Sequence, residues 1–76
     1  MNLQERIDFF KETKDFVISD YVYNMAKHLA TYLENLNFAI VPFEGGIQFE
    51  KEDHGWYLEI EITDLGCKGY LENMRD

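Results

Sequence analysis

The sequence predicts an α+β domain: two N-terminal helices packed on one face of a three- to four-stranded antiparallel β-meander. Three observations predict it. Apolar residues recur at helical spacing as far as Leu36, and after Phe38 they alternate with polar ones. Turn-forming glycines then punctuate the second half at Gly45-Gly46, Gly55 and Gly66. Residues 1–76 read as a single domain, with 1–37 as its helical half and 38–76 as its meander half.

In the helical half, Asn2 followed by Glu5 has the pattern of a weak capping box, with Asn in place of Ser or Thr. Leu3, Ile7 and Phe10 fall on one helical face, which predicts a helix from about Asn2 to Thr13. Phe16-Val17-Ile18 disfavours continuation, so a break is expected between Thr13 and Ser19, with Asp15 or Ser19 capping the next helix. A single bent helix is the alternative. Val22, Met25, Leu29, Tyr32, Leu33 and Leu36 keep helical spacing through the second helix, and Asn37 is positioned to end it.

In the meander half, side-chain parity sets the register. A two-residue loop at His54-Gly55 places Phe49 opposite Ile60, Ile47 opposite Ile62 and Lys51 opposite Leu58. It also places Glu50 opposite Glu59 and Gln48 opposite Glu61. A one-residue slip would turn every apolar side chain to water. The same argument at Leu65-Gly66 places Ile60 by Leu71, Ile62 by Gly69, Glu61 by Tyr70 and Thr63 by Lys68. Both hairpins then share one apolar face, which the helices are expected to cover. The other face carries Gln48, Glu50, Glu52, Tyr57, Glu59, Glu61, Lys68 and Tyr70.

Composition limits the function. The 76 residues carry a net charge of -8, which disfavours direct binding to nucleic acid or to an anionic membrane. The charge is uneven: residues 1–37 hold four basic and six acidic side chains, the remainder three basic and nine acidic. No apolar run approaches the ~20 residues of a membrane span. The segment Met1–Glu12 is amphipathic and contains acids, unlike a signal peptide. The single cysteine, Cys67, has no internal partner, and the expected compartment is the cytoplasm, that of the host cell for a phage-encoded chain.

The segment Gly45-Gly46-Ile47-Gln48-Phe49-Glu50, followed by Leu58-Glu59-Ile60-Glu61-Ile62, resembles short uncharacterised bacterial and phage proteins with a GGIQ-x-E-W … LEIEI hairpin signature. The resemblance spans about residues 40–71. It implies a helix-plus-hairpin fold and no established activity. Lys51 stands where that pattern has Trp. Parity points it inward, and Trp56, diagonal to it across the hairpin, is expected to fill the same space; otherwise Lys51 snorkels at the edge of the sheet.

The residues that could carry chemistry are dispersed. His28 reads as a structural residue of the second helix and His54 as a loop residue beside Asp53. Two His and one Cys match no zinc spacing. Gly45-Gly46 lacks the Lys and Ser/Thr of a phosphate loop. Carboxylate pairs serve acid–base chemistry only in a cleft that gives the two acids unequal environments. No catalytic residue, metal ligand or cofactor is therefore assigned, and the chain is expected not to be an enzyme.

The remaining reading is a small acidic protein-binding module. Glu50, Glu52, Glu59 and Glu61 would complement a basic surface on another protein, and Tyr57, Tyr70 and Trp56 would anchor the contact. Basic clefts are characteristic of nucleic-acid-processing proteins. The expectation is a stoichiometric inhibitor of the anti-CRISPR or anti-defence type, including by nucleic-acid mimicry. The alternatives are an antitoxin or immunity-type protein that masks a toxin, and a structural homodimer through the helical half, with Phe9, Phe16 and Tyr21 or Tyr23 at the seam.

Overall fold

A computed structural model of the chain describes residues 1–75; Asp76 lies outside the described residues. Two helices precede four strands: α1 (Leu3–Glu12), α2 (Asp20–Leu33), β1 (Ala39–Phe43), β2 (Gly46–Asp53), β3 (Trp56–Thr63) and β4 (Gly66–Asn73). The strands form one antiparallel meander in chain order, and the helices pack on one of its faces. No helix among the described residues is long and apolar enough to cross a membrane.

The helix starts follow local chemistry. Asn2 Oδ1 accepts from the Glu5 amide at 2.8 Å, and Glu5 Oε1 accepts from the Asn2 amide at 3.1 Å, completing the capping box. The chain breaks after Glu12, so the helices are two. Ser19 caps α2, its hydroxyl accepting from the Val22 amide at 3.1 Å. The same hydroxyl also donates to Asp64 at the β3–β4 turn, tying the start of α2 to the sheet. α2 stops at Leu33, earlier than its apolar spacing suggests. Residues 34–37 form a turn in which the Leu36 amide bonds to the Leu33 carbonyl at 3.0 Å, and Asn37 takes a left-handed φ of 59°.

Polar contacts fix α1 against α2. Lys27 Nζ lies 2.8 Å from Asp8 Oδ1, and the Tyr23 hydroxyl donates to the same oxygen at 2.6 Å. Gln4 Nε2 donates to the Lys27 carbonyl, and the Leu3 amide donates to Glu34 Oε1. The Lys27 ammonium and the Tyr23 hydroxyl hold the Asp8 carboxyl below its ordinary range. Below this layer sits the core. Leu3 and Ile7 come from α1, Ile18 from the connecting segment, and Val22, Ala26, Ala30 and Leu33 from α2. The sheet adds Ile40, Ile47, Phe49 and Ile62. Tyr23 is thus engaged within the protomer, whereas Phe9 and Tyr21 are exposed.

The first expected register is the one observed: Phe49 pairs with Ile60, Ile47 with Ile62, Lys51 with Leu58, Glu50 with Glu59 and Gln48 with Glu61. His54 and Gly55 both have positive φ, 50° and 84°, as a type I′ hairpin turn requires. The second register differs from expectation by two residues. Leu58 pairs with Leu71, Glu59 with Tyr70, Ile60 with Gly69, Glu61 with Lys68, Ile62 with Cys67 and Thr63 with Gly66. The loop is Asp64-Leu65, and Gly66 with φ 125° already belongs to the strand. The shift is even, so the assignment of faces is unchanged.

Helical cover of the apolar face is incomplete, contrary to expectation. α1 reaches β1 and α2 reaches β2 and β3, but neither approaches β4 among the described residues. Beyond Gly66, β4 is exposed along its whole length.

Candidate functional site: an acidic outer face and an uncovered apolar groove

The face of the sheet away from the helices is assembled from registered rows. One row runs Ala39, Glu50, Glu59, Tyr70; the next runs Val41, Gln48, Glu61, Lys68; Glu52, Tyr57 and Glu72 form a third. Six of the seven residues assigned to partner binding lie on this face: Glu50, Glu52, Tyr57, Glu59, Glu61 and Tyr70.

Glu50 and Glu59 are directly opposed on neighbouring strands, an arrangement that costs stability because like charges repel across a strand pair. Tyr57 moderates it. Its hydroxyl lies 3.1 Å from Glu59 Oε2 and 3.3 Å from Glu50 Oε2, and donates its one proton into the pair. Gln48 Nε2 donates to Glu50 Oε2 at 3.0 Å. Partial burial, the hydrogen bond to Glu59 and the field of both carboxylates push the Tyr57 phenol up to about 12. The charge of Glu72 raises Tyr70 as well, and the two tyrosine rings meet edge-on at 6.5 Å. Both phenols therefore remain neutral donors at neutral pH, interleaved with the acids. A shallow hollow of about 250 Å³ lies beside them, lined by Asn37, Ala39, Glu50, Lys51, Glu52 and Tyr57.

Trp56 is the exception. It pairs with Asp53 and Asn73 and shares the parity of Leu58 and Ile60, which puts it on the helix side of the sheet, 45% exposed. There it lines an open groove of about 450 Å³ with Leu33, Leu36, Phe38, Leu58 and Leu71. Lys51 lies in the same groove, its ammonium 5.7 Å from the centre of the Phe38 ring. Lys51 and Trp56 thus share the space, and the lysine snorkels over an aromatic face rather than at a sheet edge.

The groove has no motif of its own in the sequence. α2 has 14 residues, a rod of about 21 Å, and its apolar stripe must serve both α1 and the sheet.

The other candidates stand apart. His28 is exposed and packs edge-on against Tyr32 at 5.5 Å, a surface position rather than a place in the core. His54 Nδ1 lies 2.7 Å from Asp53 Oδ1 in the exposed hairpin loop. Cys67 is a free, exposed thiol near the start of β4. Among the described residues, no three His, Cys, Asp or Glu side chains are grouped to hold a metal ion. No family model, curated protein or solved structure matches the chain.

Proposed function

We propose that the protein is a non-enzymatic binding module whose acidic sheet face docks on a basic surface of another protein, and that it acts as a stoichiometric inhibitor of a nucleic-acid-processing protein. One observation carries the reading. Glu50 and Glu59 are held directly opposite each other, with only the neutral Tyr57 between them, at a cost to the fold. A surface selected for solubility alone could spread its charges. A clustered one, interleaved with tyrosines, supplies charge complementarity at the rim of an interface and aromatic contact at its centre. A cationic partner relieves the repulsion that the free protein carries.

The test is affinity capture from host lysate with wild type beside a Glu50→Gln, Glu59→Gln, Glu61→Gln variant, once circular dichroism shows that both fold. Capture of a basic protein by wild type and its loss with the variant supports the reading. Association with that protein should then slow steeply as salt rises, because steering by charge is screened. Capture of the same protein by both chains, or of nothing by either, overturns it.

A further inference from the structure

The two edges of the sheet are not equally protected. β1 is five residues long and contains Pro42, which has no N–H to offer a further strand. β4 is eight residues long, lacks proline, and is exposed beyond Gly66. Its outward edge presents unpaired backbone groups beside an apolar inner face that no helix covers, the arrangement that accepts an added strand.

We propose that β4 pairs antiparallel with β4 of a second copy of this chain, about a two-fold axis at Tyr70, to give a continuous eight-stranded sheet. A two-fold axis between antiparallel neighbours stands normal to the sheet, so like faces stay together and the axis passes through a residue position. Two such registers give the longest overlap, one centred on Gly69 and one on Tyr70. Centring on Gly69 sets Gly69 against its own copy and leaves Lys68 opposite Tyr70. Centring on Tyr70 pairs Lys68 of each copy with Glu72 of the other and sets Leu71 opposite Gly69.

Both features are self-complementary. Lys68 and Glu72 lie on the outer face, two positions either side of Tyr70, and form two cross-strand ion pairs of opposite charge. The space above Gly69 is open, since a Cβ placed there would meet nothing within 4 Å, and Leu71 is 61% exposed. In the pair, each Leu71 extends over the bare backbone of the partner's Gly69. The inner-face row Lys51, Leu58, Leu71 then continues across the seam into Gly69, Ile60 and Phe49 of the second copy. The inference does not rest on the reading of the acidic face.

Sedimentation equilibrium on the whole chain tests it. Wild type should dimerise reversibly. Lys68→Glu and Glu72→Lys each place two like-charged pairs at the seam and should weaken self-association about tenfold or more. Mixing the two folded single variants should restore it. The carboxylate introduced at position 68 of one copy then faces the ammonium introduced at position 72 of the other, and each chain's own contacts are those of the single variant. Tyr70→Cys in a Cys67→Ser background should give a covalent dimer on mild oxidation. The native Cys67 should not, because it faces Asn73. Monomer at high micromolar concentration, failure of the mixture to recover association, or no cross-link at position 70 overturns the proposal.

Discussion

β1 and β4 are the two outer strands of the same sheet, yet Ile40 on β1 is buried beneath the helical layer while Leu71 on β4 is 61% exposed. Every residue of the sheet that belongs to the buried core comes from β1, β2 or β3. The difference is one of cover. α1 and α2 are held to each other by the Asp8, Lys27 and Tyr23 contacts and by the bond from Leu3 to Glu34, and they lie over β1 to β3. Here the two helices contact β1, β2 and β3 and leave β4 without helical cover. The uncovered part is held by backbone pairing and is open to a partner.

The contrast sets the size of mutational effects. Phe49 is fully buried at the centre of the covered part, so Phe49→Ala should cost ~3–5 kcal/mol, comparable with the whole margin of a domain this size, and leave the chain largely unfolded by circular dichroism. Leu71→Ala should cost less than about 1 kcal/mol in the protomer, read as a small change in urea midpoint. A Leu71 variant that unfolds the protomer would show that the two regions are not distinct.

Gly46→Ala probes close packing within the covered part, at the start of β2. A Cβ there would fall 2.5 Å from both the Ile62 carbonyl oxygen and the Phe43 ring; the ring can move but the backbone cannot without distorting the β2–β3 pairing. A loss of ~1–3 kcal/mol in chemical denaturation is expected. Ser19→Ala removes the α2 cap and its link to Asp64, for a loss of ~1 kcal/mol in the same measurement.

The pH dependences are smaller and opposite in sign. The Asp8 carboxyl is held low in the folded state, so its contribution is present above the unfolded value of about 4 and is lost as pH falls through the folded one. Asp8→Asn should flatten the acid limb of the stability curve. The Tyr57 phenol is raised to about 12, so its contribution is present below the unfolded value of about 10 and is lost as pH climbs toward 12. Tyr57→Phe should remove that alkaline loss. The phenolate absorbance of wild type should include a tyrosine titrating near 12 that is absent from the variant.

Much of this organisation is legible in the residues. The Asn2–Glu5 box is local chemistry within one turn of chain; the break is expected with Asp15 or Ser19 as the next cap and one bent helix as the alternative, and the structure has two helices with Ser19 as the cap. The first hairpin is legible because Ile47, Phe49, Leu58, Ile60 and Ile62 alternate strictly and His54-Gly55 suits a two-residue turn. The second is displaced by two residues from its expected register because Asp64-Leu65-Gly66 allows two loop placements of equal parity; the positive φ falls on Gly66, within the strand. Trp56 groups with the acids by its aromatic character, but its parity with Leu58 puts it on the opposite face.

By itself the sequence determined the order of elements and which side chains share a face of the sheet, because capping, turn chemistry and side-chain periodicity act between near neighbours in the chain. The tertiary structure alone decided how far the helices reach. α2 ends at Leu33 rather than Leu36, and neither helix contacts β4. No local pattern encodes that distance, since it is set by how two helices and a sheet divide a limited apolar surface. It also leaves the helix-side face of β4 uncovered.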